Sequence, residues 1–107
     1  MANVNPPKKN QAFNIRIALQ DLATPGSFKA NPTLASGDVK LDKDGGGLNN
    51  IDAGGTGVPS VSPAGSIWVN IALTATEMNA DVVSVQLIDQ TATKEWADYA
   101  FCILTTA

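Results

Sequence analysis

The sequence predicts an all-β protein, a single-domain β-sandwich of the Ig-like or jelly-roll type. Short stretches alternate apolar and polar residues with a period of two, and turn-forming residues separate them at spacings of about ten residues. No stretch long enough for three helical turns carries an apolar period of 3.6 residues. With 107 residues the chain has material for one hydrophobic core and not for two. We divide it into a flexible N-terminal arm, residues 1–11, and a sandwich domain, residues 12–107.

The arm is polar, contains Pro6-Pro7 and Lys8-Lys9, and has no hydrophobic period with which to join a core. The first strand follows: Phe13, Ile15, Ile17 and Leu19 alternate with Asn14, Arg16, Ala18 and Gln20, so one face is buried. Thr24-Pro-Gly26 ends that stretch, and Pro32 interrupts residues 27–34, which suits an edge or irregular strand. Val39 and Leu41 mark a short strand running into Asp44-Gly-Gly-Gly47, a turn whose glycines tolerate positive φ. Gly, Asn, Ser, Thr and Pro dominate residues 48–65, which predicts a long loop with at most one short edge strand.

The second half is more regular. Ile67, Val69, Ile71 and Leu73 form an apolar face with Trp68 on the opposite one. Val83, Val85 and Leu87 mark the next strand, and Tyr99, Phe101 and Ile103 the last. Between the first two of these, Thr74-Ala-Thr-Glu77 has the spacing of a capping box, in which Thr74 accepts from the backbone N–H of Glu77 while the Glu77 carboxylate accepts from that of Thr74. Leu73 and Met78 stand where a hydrophobic staple places its pair, so one short helical turn is expected near residues 75–79, ending at Asn79 in a left-handed conformation.

Composition argues against several function classes. The net charge is −3 and the seven Lys and Arg are scattered, so no basic stripe offers itself to nucleic acid. No stretch nears the roughly 20 apolar residues that span a bilayer, and the first residues lack the apolar centre of a signal peptide. We therefore expect cytoplasmic synthesis and no membrane partner. The absence of histidine removes the commonest general base, and Cys102, the single cysteine, has no partner to activate it. Alternation puts Cys102 opposite Tyr99, Phe101 and Ile103, where we expect a small packed hydrophobe. Asp42-Lys-Asp44-Gly45 opens like a calcium loop, but Gly46 stands where a further ligand belongs and no Glu closes the loop, so it reads as a turn. Gly45-Gly46-Gly47 lacks the Lys-Ser or Lys-Thr of a phosphate loop. The expectation is a protein without catalytic residues, metal or cofactor.

Lys40-Leu-Asp-Lys-Asp-Gly-Gly46, Ser62-Pro-Ala-Gly65, Leu73-Thr-Ala-Thr-Glu-Met-Asn-Ala-Asp81 and Lys94-Glu-Trp96 together resemble a β-sandwich module of tailed-bacteriophage virion proteins, found in head-decoration and tail or baseplate adaptor proteins. The resemblance covers about residues 36–105, and the stretch from Leu73 to Asp81 is its most specific part. It implies a virion setting and supplies no catalytic residue. The function expected from it is a non-enzymatic capsid decoration or cement protein on the capsid surface, made in the bacterial host cytoplasm. Its expected partners are the major capsid protein and further copies of itself, as a dimer or trimer. A tail or baseplate attachment module is the first alternative. A small carbohydrate-binding domain with weak affinity for surface glycans, using Trp68 or Trp96, is the second. The candidate partner-binding residues are Pro6, Pro7, Lys8 and Lys9 in the arm and Trp68 on the outer strand face. Thr74 and Glu77 are the structural capping pair, and Trp96 is expected to close one end of the sandwich.

Overall fold

The computed structural model describes residues 7–51 and 58–106. Within them the chain forms β1 (Phe13–Ala18), β2 (Val39–Lys43), β3 (Asn49–Asn50), β4 (Ser60–Val61), β5 (Trp68–Leu73), β6 (Val82–Leu87) and β7 (Tyr99–Leu104). They make two antiparallel sheets, one ordered β1-β5-β4 and the other β3-β2-β6-β7. The single-domain β-sandwich is therefore the fold. With β1 to β7 lettered B, C, C′, D, E, F and G, the sheets read B-E-D and C′-C-F-G. Among the described residues this is the Ig-like arrangement of strands B to G, and it decides between the two sandwich types left open by the sequence.

Alternation accounts for the core. Val69, Ile71 and Leu73 of β5 and Ile17 of β1 are buried on one inner face; Val39 and Leu41 of β2, Val83, Val85 and Leu87 of β6 and Ile103 of β7 are buried on the other. The register sets Ile17 beside Val69 and Leu41 beside Val85, so each apolar row continues across its sheet. Ile51, Met78 and Ala80 extend the same cluster beyond the strands.

The irregular segments close the two ends. Residues 27–34 form no strand; they touch β1's extension through one bridge, Gln20 to Phe28. The loop from 48 to 65 carries two short edge strands, not one, because it crosses between the sheets: β3 pairs with β2 and β4 with β5. The hairpin loop between β6 and β7 folds back so that Trp96 is fully buried, and its Nε1–H donates to the Thr33 carbonyl at 3.2 Å. Backbone bonds from Leu22 N to Glu95 O and from Ala97 N to Gln20 O fix this loop against the β1–β2 connection. Trp96 thus closes one end of the sandwich, as its sequence position suggests.

The opposite end is closed by the β5–β6 corner. Met78 N–H donates to Thr74 C=O at 3.0 Å and Asn79 N–H to Thr76 C=O at 3.2 Å, a single hydrogen-bonded turn over residues 75–78. Asn79 does not adopt the expected left-handed conformation; positive φ occurs instead at Asn10, Asn31 and Asp44 among the described non-glycine residues. The chain leaves the turn through an Ala80 N–H to Met78 C=O bond at 2.9 Å, which makes a left-handed residue unnecessary.

Trp96→Ala should lower stability by about 3–5 kcal/mol, the range for emptying a fully buried aromatic site. Denaturant unfolding measures it. A loss below about 1 kcal/mol would mean that the end closed by Trp96 is not part of the cooperative core.

Candidate functional site

Of the candidate partner-binding residues, Trp68 is the one the fold displays on an open face. The β1–β5 register pairs Ala18 with Trp68 and Arg16 with Asn70, placing Asn14, Arg16, Trp68 and Asn70 on the outer face of the three-stranded sheet. Trp68 is 42% exposed. The Arg16 guanidinium lies over its ring, 5.4 Å from the centroid, and also donates to the Ser62 carbonyl. One aromatic surface is thus covered by a cation held at the β4–β5 turn. Arg16 belongs with Trp68 as a candidate, and the sequence could not show this because the pair depends on a register between strands about 50 residues apart.

Pro6 lies outside the described residues. Pro7, Lys8 and Lys9 stand apart from Trp68, at the far end of the other sheet. Where the sequence places them in a flexible arm, the structure ties them to the domain. Thr106 N–H donates to Pro7 C=O at 2.9 Å, Lys9 N–H to Thr106 C=O at 2.9 Å and Asn10 N–H to Met78 C=O at 3.1 Å. Lys8 and Thr106 form a parallel bridge, and Lys9 Nζ sits 3.0 Å from the Asp81 carboxylate. The physical reason is main-chain: Thr106 offers outward-facing backbone groups, and a segment without hydrophobic pattern can satisfy them as well as any other. Lys8 remains exposed.

The capping pair is formed as its spacing predicts. Glu77 N–H donates to Thr74 Oγ1 at 3.2 Å, and Thr74 N–H donates to Glu77 Oε1 at 2.9 Å. Burial pushes the Glu77 carboxyl above its ordinary range, opposed by the Thr74 N–H and hydroxyl and by the Lys43 charge. Asp89 shifts the other way. Its burial would raise it, but the Glu95 and Thr91 N–H groups, the Thr91 hydroxyl and Lys94 outweigh that and hold it below the usual carboxylate range.

The remaining acidic residues with resolved contacts are also spent on the chain itself. Asp42 accepts from Gly45 N–H and Gly47 N–H at 2.9 and 2.8 Å, and Asp44 accepts from Asp81 N–H and Val82 N–H. The segment that opens like a calcium loop therefore organises its own turn and pins the β5–β6 corner. Among the described residues no group of three or more His, Cys, Asp or Glu is placed to hold a metal.

Two surface features lay outside the sequence expectations. Cys102 is exposed, not packed: it points away from buried Ile103 to the outer face of the four-stranded sheet, which no second layer covers among the described residues, and its thiol lies 3.3 Å from the Ser84 hydroxyl. On the same face, Leu48, Ala100, Cys102, Ser84 and Gln86 line a shallow depression. Among the described residues, Leu22, Phe28, Leu48, Val58, Trp68, Tyr99 and Leu104 are the large apolar side chains left exposed. A count of hydrophobic residues finds them, but only the fold separates them from the core.

Thr74→Ala should cost about 1 kcal/mol, as for other cap losses, read as a lower melting temperature. Glu77→Gln keeps a carbonyl acceptor for the Thr74 N–H but cannot ionise. A carboxyl raised in the folded state contributes stability in acid that is lost as pH rises through its folded pKa. The melting temperature of Glu77→Gln relative to wild type should therefore climb between acid and neutral pH; a constant difference would mean that Glu77 is not raised. Asp89 has the opposite sign, its stabilisation present above the unfolded carboxylate range and lost as pH falls through its depressed value.

No family model, curated protein or solved structure matches the chain.

Proposed function

We propose that the chain is a non-enzymatic structural protein of a tailed-phage virion, a decoration protein that attaches to the outer capsid shell and bridges neighbouring subunits of the major capsid protein. The observation that carries this reading is the distribution of the exposed apolar side chains. Among the described residues Trp68, Tyr99 and Leu104 lie on strands, Leu48 lies at the shallow depression, and Leu22, Phe28 and Val58 lie on connecting segments, so the exposed apolar side chains are spread over the surface and not gathered in one cleft. Such a surface suits a broad contact with a folded partner more than a small substrate, which needs a deep cleft with a few convergent polar groups.

The resemblance to phage virion modules supports the same reading. Its most specific stretch, Leu73–Asp81, builds the β5–β6 corner, with Glu77, Met78 and Ala80 buried. These residues hold the module together and leave attachment to its faces. A protein that binds the assembled shell but not its unfolded subunits stabilises the shell by mass action.

A tail or baseplate module would use the same surfaces and differs in copy number, hundreds per particle for a decoration protein against a few tens, as a rough consequence of assembly symmetry. The glycan reading is weaker, because a sugar stacking on Trp68 has to displace Arg16 from its ring.

The test is co-sedimentation of the purified protein with undecorated heads of the encoding phage, with heat resistance of the heads as a second measurement. Binding and a raised disruption temperature are expected. Trp68→Ala should weaken binding roughly tenfold, the loss of an exposed aromatic contact, with an unchanged melting temperature of the free protein. Failure to bind heads, together with recovery on isolated tails, would transfer the protein to the tail.

A further inference from the structure

The three-stranded sheet carries one charge. Its strands read Phe-Asn-Ile-Arg-Ile-Ala, Ser-Val and Trp-Val-Asn-Ile-Ala-Leu, and Arg16 is their single ionisable residue. The chain as a whole is acidic, with a net charge of −3, so this outer face is cationic on an anionic protein. The ion pairs among the described residues are made by lysines, Lys9 with Asp81 and Lys94 with Asp98. Arg16 has no carboxylate partner among the described residues.

Its guanidinium is nevertheless held in place. It stacks on Trp68 and donates through Nη2 to the Ser62 carbonyl, while the residue stays exposed. A guanidinium has five N–H donors in one plane, so the remaining ones are available to a second molecule. Asn70 stands directly across the ladder from Arg16, and Asn14 lies two residues along β1 on the same face. Neither side-chain amide has a hydrogen-bond partner among the described residues.

We propose that the partner surface meeting this face is acidic, and that one Asp or Glu side chain on it pairs with the Arg16 guanidinium through two parallel hydrogen bonds, with the Asn70 amide as a further donor and Trp68 as the apolar wall. The inference rests on the capsid-attachment reading and adds the chemistry of the surface that is bound. Three features select a carboxylate. A guanidinium already stacked and tethered has lost much of its side-chain freedom, so pairing it costs little further entropy. The fork of donors matches a carboxylate in two-point geometry, and the Trp68 ring beside it excludes water from one side of the pair. A polyanion such as a nucleic-acid backbone is held by several cations at once, and this face offers one.

The test uses the full chain and undecorated heads, native or treated with a carbodiimide and an uncharged amine, which turns exposed carboxylates into amides. Arg16→Gln should weaken co-sedimentation with native heads by about tenfold or more. Lys40→Gln makes the same change of net charge on the four-stranded sheet and should bind like the wild type. Wild-type protein should bind amidated heads about tenfold more weakly than native ones. Repulsion between net charges predicts the reverse, because amidation makes the heads less negative. On amidated heads Arg16→Gln should bind no worse than the wild type, since both changes remove one interaction. Undiminished binding of the wild type to amidated heads overturns the inference, as does undiminished binding of Arg16→Gln to native heads, or losses that simply add. In each of those cases the protein still binds heads, and the attachment reading stands. Failure of the wild type to bind native heads overturns both. The amidation arm leaves the protein unaltered, so it decides the question even where Arg16→Gln lowers the melting temperature.

Discussion

The two sheets of this protein are held face to face by the apolar layer between β5 and β6, and everything else depends on it. The ladders run within each sheet, so what joins the sheets is the burial of Val69, Ile71 and Leu73 against Val83, Val85 and Leu87. All six are essentially inaccessible to water. Each such side chain contributes about 1.5–3 kcal/mol by leaving water, against which stands the entropy of ordering its strand. A layer this thin tolerates no open end. Trp96 plugs one end and the corner with Met78 the other, and both are delivered by loops, not strands.

That constraint explains where the charged residues went. A small sandwich with long loops has many backbone N–H groups that no ladder satisfies, and an unpaired buried N–H costs free energy comparable to a lost hydrogen bond. Carboxylates meet that need. Asp38 accepts from Ala35 and Gln90, Asp89 from Thr91 and Glu95, Glu77 from Thr74, and Asp44 from Asp81 and Val82. The acidic side chains thus serve as loop scaffolding. Surfaces open to other molecules include the Trp68–Arg16 pair and the depression beside Leu48.

Capsid attachment through Trp68 draws on the outer face of the three-stranded sheet. The docking of Pro7 to Asn10 beside Thr106 uses main-chain groups just past the end of β7. It fixes the first described part of the chain to the domain.

The sequence by itself determined whatever depends on short-range pattern. Period-two alternation located β1, β2, β5, β6 and β7, because a strand with one buried face must alternate. The Thr74–Glu77 spacing located the corner, because a capping box is closed within four residues. Trp96 was legible as an end plug from its place before the last strand. The tertiary structure alone decided which strands are neighbours, and three surface assignments follow from that. Arg16 reaches Trp68 only because β1 lies beside β5 in one particular register. Cys102 is exposed because it faces the outer side of the four-stranded sheet, although its alternation is that of any strand with a packed second face. Pro7 to Asn10 are docked because Thr106 presents free main-chain groups, which no hydrophobic pattern encodes. Alternation says which side chains share a face; it carries no information about what lies across that face or along the strand's edge.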